Sequence, residues 1–84
     1  MVVPFWFVQR QAKMEPAGED TFRLTAPNAR EAFISIRRGD DSRFSAALRQ
    51  SLDGNELVVT PPEFERADDA WSAAFELYRT TFIV

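Results

Sequence analysis

The clearest hydrophobic pattern in the chain lies near its C-terminus, in residues 66–82. Trp71, Phe75, Tyr78 and Phe82 recur at steps of four, three and four residues, which is the spacing of one face of an α-helix. Most charged residues of this segment fall outside that stripe. The pattern therefore predicts an amphipathic helix that packs its aromatic face against the rest of the protein.

Alternating apolar and polar positions predict strands before this helix. Residues 21–26 and 43–50 alternate in this way, and residues 57–60 form a short apolar run. Asp53-Gly54 lies between the last two segments and is a strong hairpin signal. Pro61 and Pro62 end the last predicted strand. A short helix is the alternative for residues 43–50, because Ala and Leu favour helices.

After a turn predicted at Pro27-Asn28-Ala29, residues 29–38 fit two structures. Asn28 and Glu31 have the spacing of a helical capping box. Against a helix, residues 33–36 are rich in β-branched and aromatic side chains and continue an alternating pattern. We prefer a strand for this segment, with a helix as the alternative.

The N-terminal residues 2–10 are dominated by aromatic and β-branched side chains, which favours a further strand. Alternation along such a strand places Trp6 on one face and Phe5 with Phe7 on the other. Both faces should then be covered, by the helix, by a partner chain or by the N-terminal tail.

Residues 11–20 contain Pro16, Gly18 and several charged side chains, which predicts a surface loop. Together these elements predict a single domain spanning residues 1–84. Its class is α+β, with an antiparallel β-meander of about five strands packed on one C-terminal α-helix.

Composition limits the chemistry of this domain. With 45% hydrophobic residues, including eight Phe, the 84 residues can form a modest core. The sequence contains neither Cys nor His. The thiolate is therefore missing as a nucleophile and metal ligand, and the imidazole is missing as a general base and metal ligand. We therefore expect no catalytic residue, no metal, no cofactor and no enzymatic activity.

Acidic pairs do not change this expectation. Asp40-Asp41 and Asp68-Asp69 are neighbours at a predicted turn and a predicted helix start, where carboxylates are usually solvated. No apolar run is long enough to span a bilayer, and the N-terminus does not resemble a signal peptide. We expect a soluble cytoplasmic protein without a membrane partner.

Charge is distributed unevenly around a net value of −3. Residues 21–50 hold six Arg and three acidic residues, whereas residues 51–84 hold two Arg and seven acidic residues. The predicted alternation places Arg23, Arg37, Arg43 and Arg49 on the outward face of the sheet. Arginine binds phosphates and carboxylates, so these four residues are the candidates for nucleic-acid binding.

Two segments carry a resemblance to known families: Arg43 to Arg49 (RFSAALR) and Phe64 to Ala70 (FERADDA). Over residues 32–80 the chain resembles the three-strand-plus-helix DNA-binding domains of plant ethylene-response factors and phage-type integrases. In that family the sheet enters the major groove, and the resemblance implies DNA contacts by Arg37, Arg43 and Arg49. To a lesser degree the chain is similar to HicB-type antitoxins, which implies a toxin protein as partner.

Aromatic and apolar residues at the two ends of the chain indicate a protein interface. The interface candidates are Phe5, Trp6, Phe7, Phe82 and Val84. We therefore expect a non-enzymatic interaction module of unknown process that binds another protein or itself as a homodimer. A nucleic-acid-binding module that uses the arginines of the sheet is the alternative.

Overall fold

Five antiparallel strands, paired in the order of the sequence, form the framework of the protein. The computed structural model describes residues 1–39 and 41–83. The strands are β1 (Lys13–Gly18), β2 (Thr21–Thr25), β3 (Ala32–Arg38), β4 (Phe44–Arg49) and β5 (Glu56–Val59). The helices are α1 (Phe5–Gln9) and α2 (Ala67–Tyr78), and α2 is followed by a π-helical turn (Arg79–Ile83). The predicted α+β meander with a C-terminal helix is confirmed.

Helix α2 follows the predicted aromatic stripe. Arg66 precedes it in an extended conformation, and Asp68 and Asp69 lie in its first turn, where carboxylates favour the positive end of the helix dipole. At the other end the Thr80 hydroxyl donates hydrogen bonds to the carbonyls of Glu76 and Leu77 at 3.0 and 3.2 Å. These bonds give two carbonyls at the end of α2 a side-chain partner.

The hydrophobic core lies between α2 and one face of the sheet, mainly over β3 and β4. Leu24, Ile34 and Leu48 are fully buried there, and Phe22 packs edge-to-face on Trp71 with ring centroids 5.2 Å apart. Each such aliphatic side chain contributes roughly 1.5–3 kcal/mol on burial. The strand preferred for residues 29–38 is confirmed over residues 32–38, which form β3.

The prediction of a strand at residues 2–10 was wrong, because this segment contains helix α1. Phe7 packs edge-to-face on Phe75 at 5.3 Å, and Trp6 stacks on Tyr78 at 6.4 Å. Neighbouring side chains point to opposite faces in a strand but are about 100° apart in a helix. A helical turn therefore lets Trp6 and Phe7 both contact α2, so tertiary packing overrides the β propensity of the segment.

The prediction of a loop at residues 11–20 was also wrong, since residues 13–18 form edge strand β1. Met14 lies opposite Leu24 and packs against the core, which holds the segment on the sheet. Pro16 lacks an amide donor, and charged side chains suit a solvent-exposed strand, so both are tolerated at an edge. The loop prediction holds only at residues 11–12 and 19–20, and Asp20 in the β1–β2 turn adopts a φ of 49°.

Across residues 1–39 and 41–83, no helix is long and apolar enough to cross a membrane.

Candidate functional site

The outward face of the sheet carries a row of side chains in register across all five strands. Its members, in order from β1 to β5, are Glu15, Arg23, Phe33, Arg49 and Glu56. Phe33 is only 7% exposed although it points away from the core. It lies between two arginines, whose aliphatic stems can cover an aromatic ring while their charged ends reach solvent. We call this outward surface the arginine face.

Glu56 holds two arginines on this face. Its Oε1 atom lies 3.1 Å from Nη2 of Arg37 and 3.6 Å from Nη2 of Arg49. The Nε atom of Arg49 and the Oε2 atom of Glu56 are buried without a hydrogen-bond partner. The pairing thus brings partly desolvated charges together, and its removal would leave them without an opposite charge.

The other two predicted arginines also lie beside carboxylates. Arg23 lies 3.2 Å from Glu31 and 3.8 Å from Glu15, and Arg43 lies 4.0 Å from Asp41. The structure therefore brings Arg23, Arg37 and Arg49 together, with Arg43 at the end of the sheet. A phosphate group would have to compete with these internal carboxylates for each arginine, which weakens the electrostatic attraction of the surface.

The aromatic residues predicted as interface candidates separate in the structure. Phe5 is 74% exposed, whereas Phe7 is buried in the core and Trp6 is half-buried against α2. Phe82 is half-buried with its ring 6.0 Å from that of Tyr78, and Val84 lies outside the described residues. Phe5 is therefore the one of these aromatic side chains that is largely available to a partner.

Phe5 belongs to a group of exposed apolar side chains that we call the N-terminal patch. Its members are Met1, Val2, Val3, Phe5 and Val8. The Met1 α-amino group lies 3.0 Å from the Asp68 carboxylate, which ties the start of the chain to the first turn of α2. The patch therefore lies on a segment that is attached to the C-terminal helix.

A second exposed apolar surface lies on β5, which is the edge strand on the opposite side of the sheet from β1. Leu57, Val58 and Val59 are 49%, 38% and 52% exposed. Helix α2 covers β3 and β4, so it leaves β5 largely uncovered. We call the unpaired side of this strand the β5 edge. Consecutive exposed apolar residues on a free strand are the arrangement that favours pairing with another chain.

The backbone of Val59 faces away from the sheet. Thr60 donates its amide to the Ala46 carbonyl at 2.9 Å, and the ladder continues with Val59 opposite Ala47 and Val58 opposite Leu48. Antiparallel residues alternate between hydrogen-bonded and non-hydrogen-bonded pairs. Val58 therefore bonds to β4, whereas the N–H and C=O of Val59 point outward and are free to pair with a further strand.

Beyond β5, the same edge of the sheet borders an acidic groove. Phe64 pairs with Phe44 through backbone bonds of 2.7 and 3.2 Å, so it lies on the same side of β4 as β5 does. The groove, about 610 Å³, runs from this segment to an exposed side of α2. Its lining residues are Glu63, Phe64, Glu65, Asp69, Ser72, Ala73 and Glu76. Four carboxylates and an apolar floor make it a surface suited to basic side chains.

Two perturbed titratable groups lie on α2. A hydrogen bond from Arg79 lowers the pKa of Glu76, so this carboxylate of the groove already has a cation beside it. Burial raises the pKa of Tyr78, whose hydroxyl lies in the core without a hydrogen-bond partner. Because Tyr78 is 0% exposed, it contributes to packing and is not available to a substrate.

Sequence reasoning missed the β5 edge and the role of Glu56. The signal for the edge was the unbroken apolar run Leu57-Val58-Val59, which lacks the polar alternation of a strand with one solvated face. For Glu56 the sequence carried no signal, because its partners are 7 and 19 residues away along the chain. Within the part of the chain that the structure describes, no group of three or more acidic residues could hold a metal ion.

No protein-family model matches the chain, and no curated protein or solved structure is significantly similar to it.

Proposed function

We propose that this protein is a non-enzymatic interaction module that binds another protein by adding a strand at the β5 edge. The observation that carries this proposal is the combination of exposed apolar side chains and outward backbone groups on β5. Strand addition uses both features, because main-chain hydrogen bonds provide affinity and alternate side chains provide specificity.

The β5 edge supports a directional contact better than the N-terminal patch does. The patch offers apolar side chains on a five-residue helix and the segment before it. On β5 the exposed apolar side chains are joined by backbone groups, since the N–H and C=O of Val59 point away from β4. A partner strand can therefore be held in one register.

The test is a titration with a synthetic peptide that alternates Val and Thr and carries no charged side chain. We expect the amide resonance of Val59 to shift on addition of the peptide, with smaller shifts on β1. Val59→Pro removes the outward donor without removing a bond to β4, and it should abolish the shifts that the peptide causes in the neighbouring amides of Leu57, Val58 and Thr60 in the wild type. Equal binding by the wild type and this variant, or no shift on β5, would reject the proposal.

A homodimer through the N-terminal patch is a second candidate. It is favoured by the absence of charged side chains from residues 1–9, which lets two copies of the patch meet without like-charge repulsion. Phe5→Ser should then lower the molar mass measured by light scattering at high protein concentration, whereas Val59→Pro should not. A 9.6 kDa monomer at every concentration would reject the homodimer.

Nucleic-acid binding remains the alternative to both candidates. It would use the arginine face after the ion pairs with Glu56 and Glu31 have opened. Glu56→Gln frees Arg37 and Arg49 and should then strengthen binding to mixed DNA and RNA in a mobility-shift assay at low salt. If neither wild type nor variant shifts the nucleic acid, this alternative is excluded.

The cytoplasm, as the expected location of the protein, stays a prediction.

A further inference from the structure

Acidic side chains border the β5 edge on the side of the sheet that faces α2. Residues 51–84 hold seven acidic residues and two arginines. Among the described residues, Glu63, Glu65 and Asp69 make no ion pair, and no arginine or lysine lines the groove that they border. The groove lies along the same sheet edge as β5, on the side of α2. A strand added to β5 would therefore have these carboxylates beside its α2-facing side chains.

We propose that the strand recognised at the β5 edge belongs to a partner protein and carries Lys or Arg side chains alternating with apolar ones. This inference rests on the proposed strand addition at β5 and specifies its partner. Apolar side chains of the partner would pack on Leu57 and Val59, and its basic side chains would lie near Glu63, Glu65 and Asp69. Opposite charges across a small interface steer association and select among partners.

The same charges argue against a second copy of the chain as the occupant. Pairing of β5 with itself would bring two acidic C-terminal thirds together, each with five more acidic than basic residues. Like charges in such a contact repel, and the repulsion is strongest at low ionic strength. Self-pairing should thus strengthen as salt is added, whereas binding of a basic strand should weaken. The two occupants therefore predict opposite salt dependence.

The experiment compares three peptides of equal length that alternate Val with Lys, Val with Thr or Val with Glu. Binding is followed by the amide shifts of β5 at ~20 mM and ~500 mM salt, where the screening length differs about fivefold. At low salt we expect the Lys peptide to bind about tenfold more tightly than the Thr peptide, since two or three exposed charge pairs contribute. The Glu peptide should bind most weakly, and the differences should nearly vanish at high salt.

Variants identify the carboxylates that are responsible. Glu63→Gln with Glu65→Gln should reduce the preference for the Lys peptide several-fold and leave binding of the Thr peptide unchanged. The matched control is Glu19→Gln with Asp20→Asn, which removes two charges at the β1–β2 turn, away from the groove. This control should leave the preference intact, and Asn is compatible with the positive φ of residue 20.

The outcomes separate the inference from the proposed function. If all three peptides bind β5 equally, the basic partner is rejected while strand addition stands. If the Lys peptide binds equally well to Val59→Pro, or if its N-methylated form binds as tightly, attraction to an acidic surface alone explains the data and the inference fails. Self-association through β5 that grows with salt would identify a second copy as the occupant. The absence of any shift on β5 would reject both proposals.

Discussion

The two edges of the sheet differ in the features that control strand pairing. β1 exposes Lys13 and Glu15, contains Pro16, and has an irregular register before Gly18. Charged side chains, proline and bulges are the devices by which proteins prevent strands from adding to an edge. β5 also has an irregular register, but its last three residues are exposed and apolar, and it contains neither proline nor an unpaired charge.

This difference indicates that the protein closes one edge and leaves the other open. The row across the arginine face ends in a glutamate at both edges, yet the two carboxylates have different environments. The side chain of Glu15 is 67% exposed, whereas that of Glu56 is 26% exposed and is shared by two arginines. The carboxylate on β1 therefore shields an edge, and the one on β5 turns back into the sheet and leaves the edge apolar.

The largest expected effect tests which backbone groups of β5 are free. Val58→Pro removes an amide that bonds to β4 and should lower the free energy of unfolding by about 3 kcal/mol. Val59→Pro affects an outward amide and should cost less than about 1 kcal/mol, as native Pro16 is tolerated on β1. Chemical denaturation measures both values. Equal costs at the two positions would contradict the assigned orientation of β5.

A smaller effect compares the two glutamates at the ends of the row. Glu56→Gln leaves Arg37 and Arg49 without their carboxylate, and we expect a loss of about 1 kcal/mol of stability. Glu15→Gln, the matched control on β1, should cost less than about 0.5 kcal/mol because its pairing is solvent-exposed. Urea unfolding of the two variants would show whether β5 depends on this pairing more than β1 does.

A substitution in the core should leave the difference between β1 and β5 in strand pairing unchanged. Tyr78→Phe removes a buried hydroxyl without a partner, and we expect no loss of stability or a gain of up to about 1 kcal/mol. Peptide binding at β5 should be the same as in the wild type. A clear loss of stability would show that the hydroxyl has a partner, such as a bound water.

The raised pKa of Tyr78 also predicts how the stability of the protein changes at alkaline pH. Burial raises the pKa of Tyr78 above its ordinary value of 10.0, so the folded protein binds the proton more tightly than the unfolded chain does. Its contribution to stability is complete below pH 10.0 and is lost as the pH rises from there through the folded-state pKa. Tyr78→Phe should show a smaller loss of stability over this range, as measured by thermal unfolding.

The smallest expected change in stability accompanies a large change in pairing. Val59→Lys gives β5 the kind of charge that β1 already has, at a position that is 52% exposed. The free energy of unfolding should change by less than about 0.5 kcal/mol, while binding of the uncharged Val/Thr peptide should fall at least tenfold. Val59→Thr, which keeps the backbone and the β propensity, should bind almost normally. Unchanged peptide binding by the lysine variant would contradict the inference that exposed charge is what keeps a further strand from pairing with an edge of this sheet.

The sequence by itself determined the elements whose burial follows a regular period. Helix α2 was evident from its aromatic spacing and β2 from its alternation, and alternation also favoured strands over the alternative helices at β3 and β4. The absence of Cys and His likewise limited the available chemistry without reference to any fold. These conclusions hold because the side-chain direction is set locally, every 3.6 residues in a helix and every second residue in a strand.

Only the tertiary structure decided the state of the N-terminal segment, the pairing of the arginines and the openness of each edge. Phe7 contacts Phe75, and Arg37 contacts Glu56, across separations along the chain that no local pattern encodes. The β propensity of residues 5–9 and the loop composition of residues 13–18 were both overridden, since packing on α2 and on β2 stabilises each segment more than local preference does. Which edge stays free depends on what covers it, and that is a property of the assembled sheet.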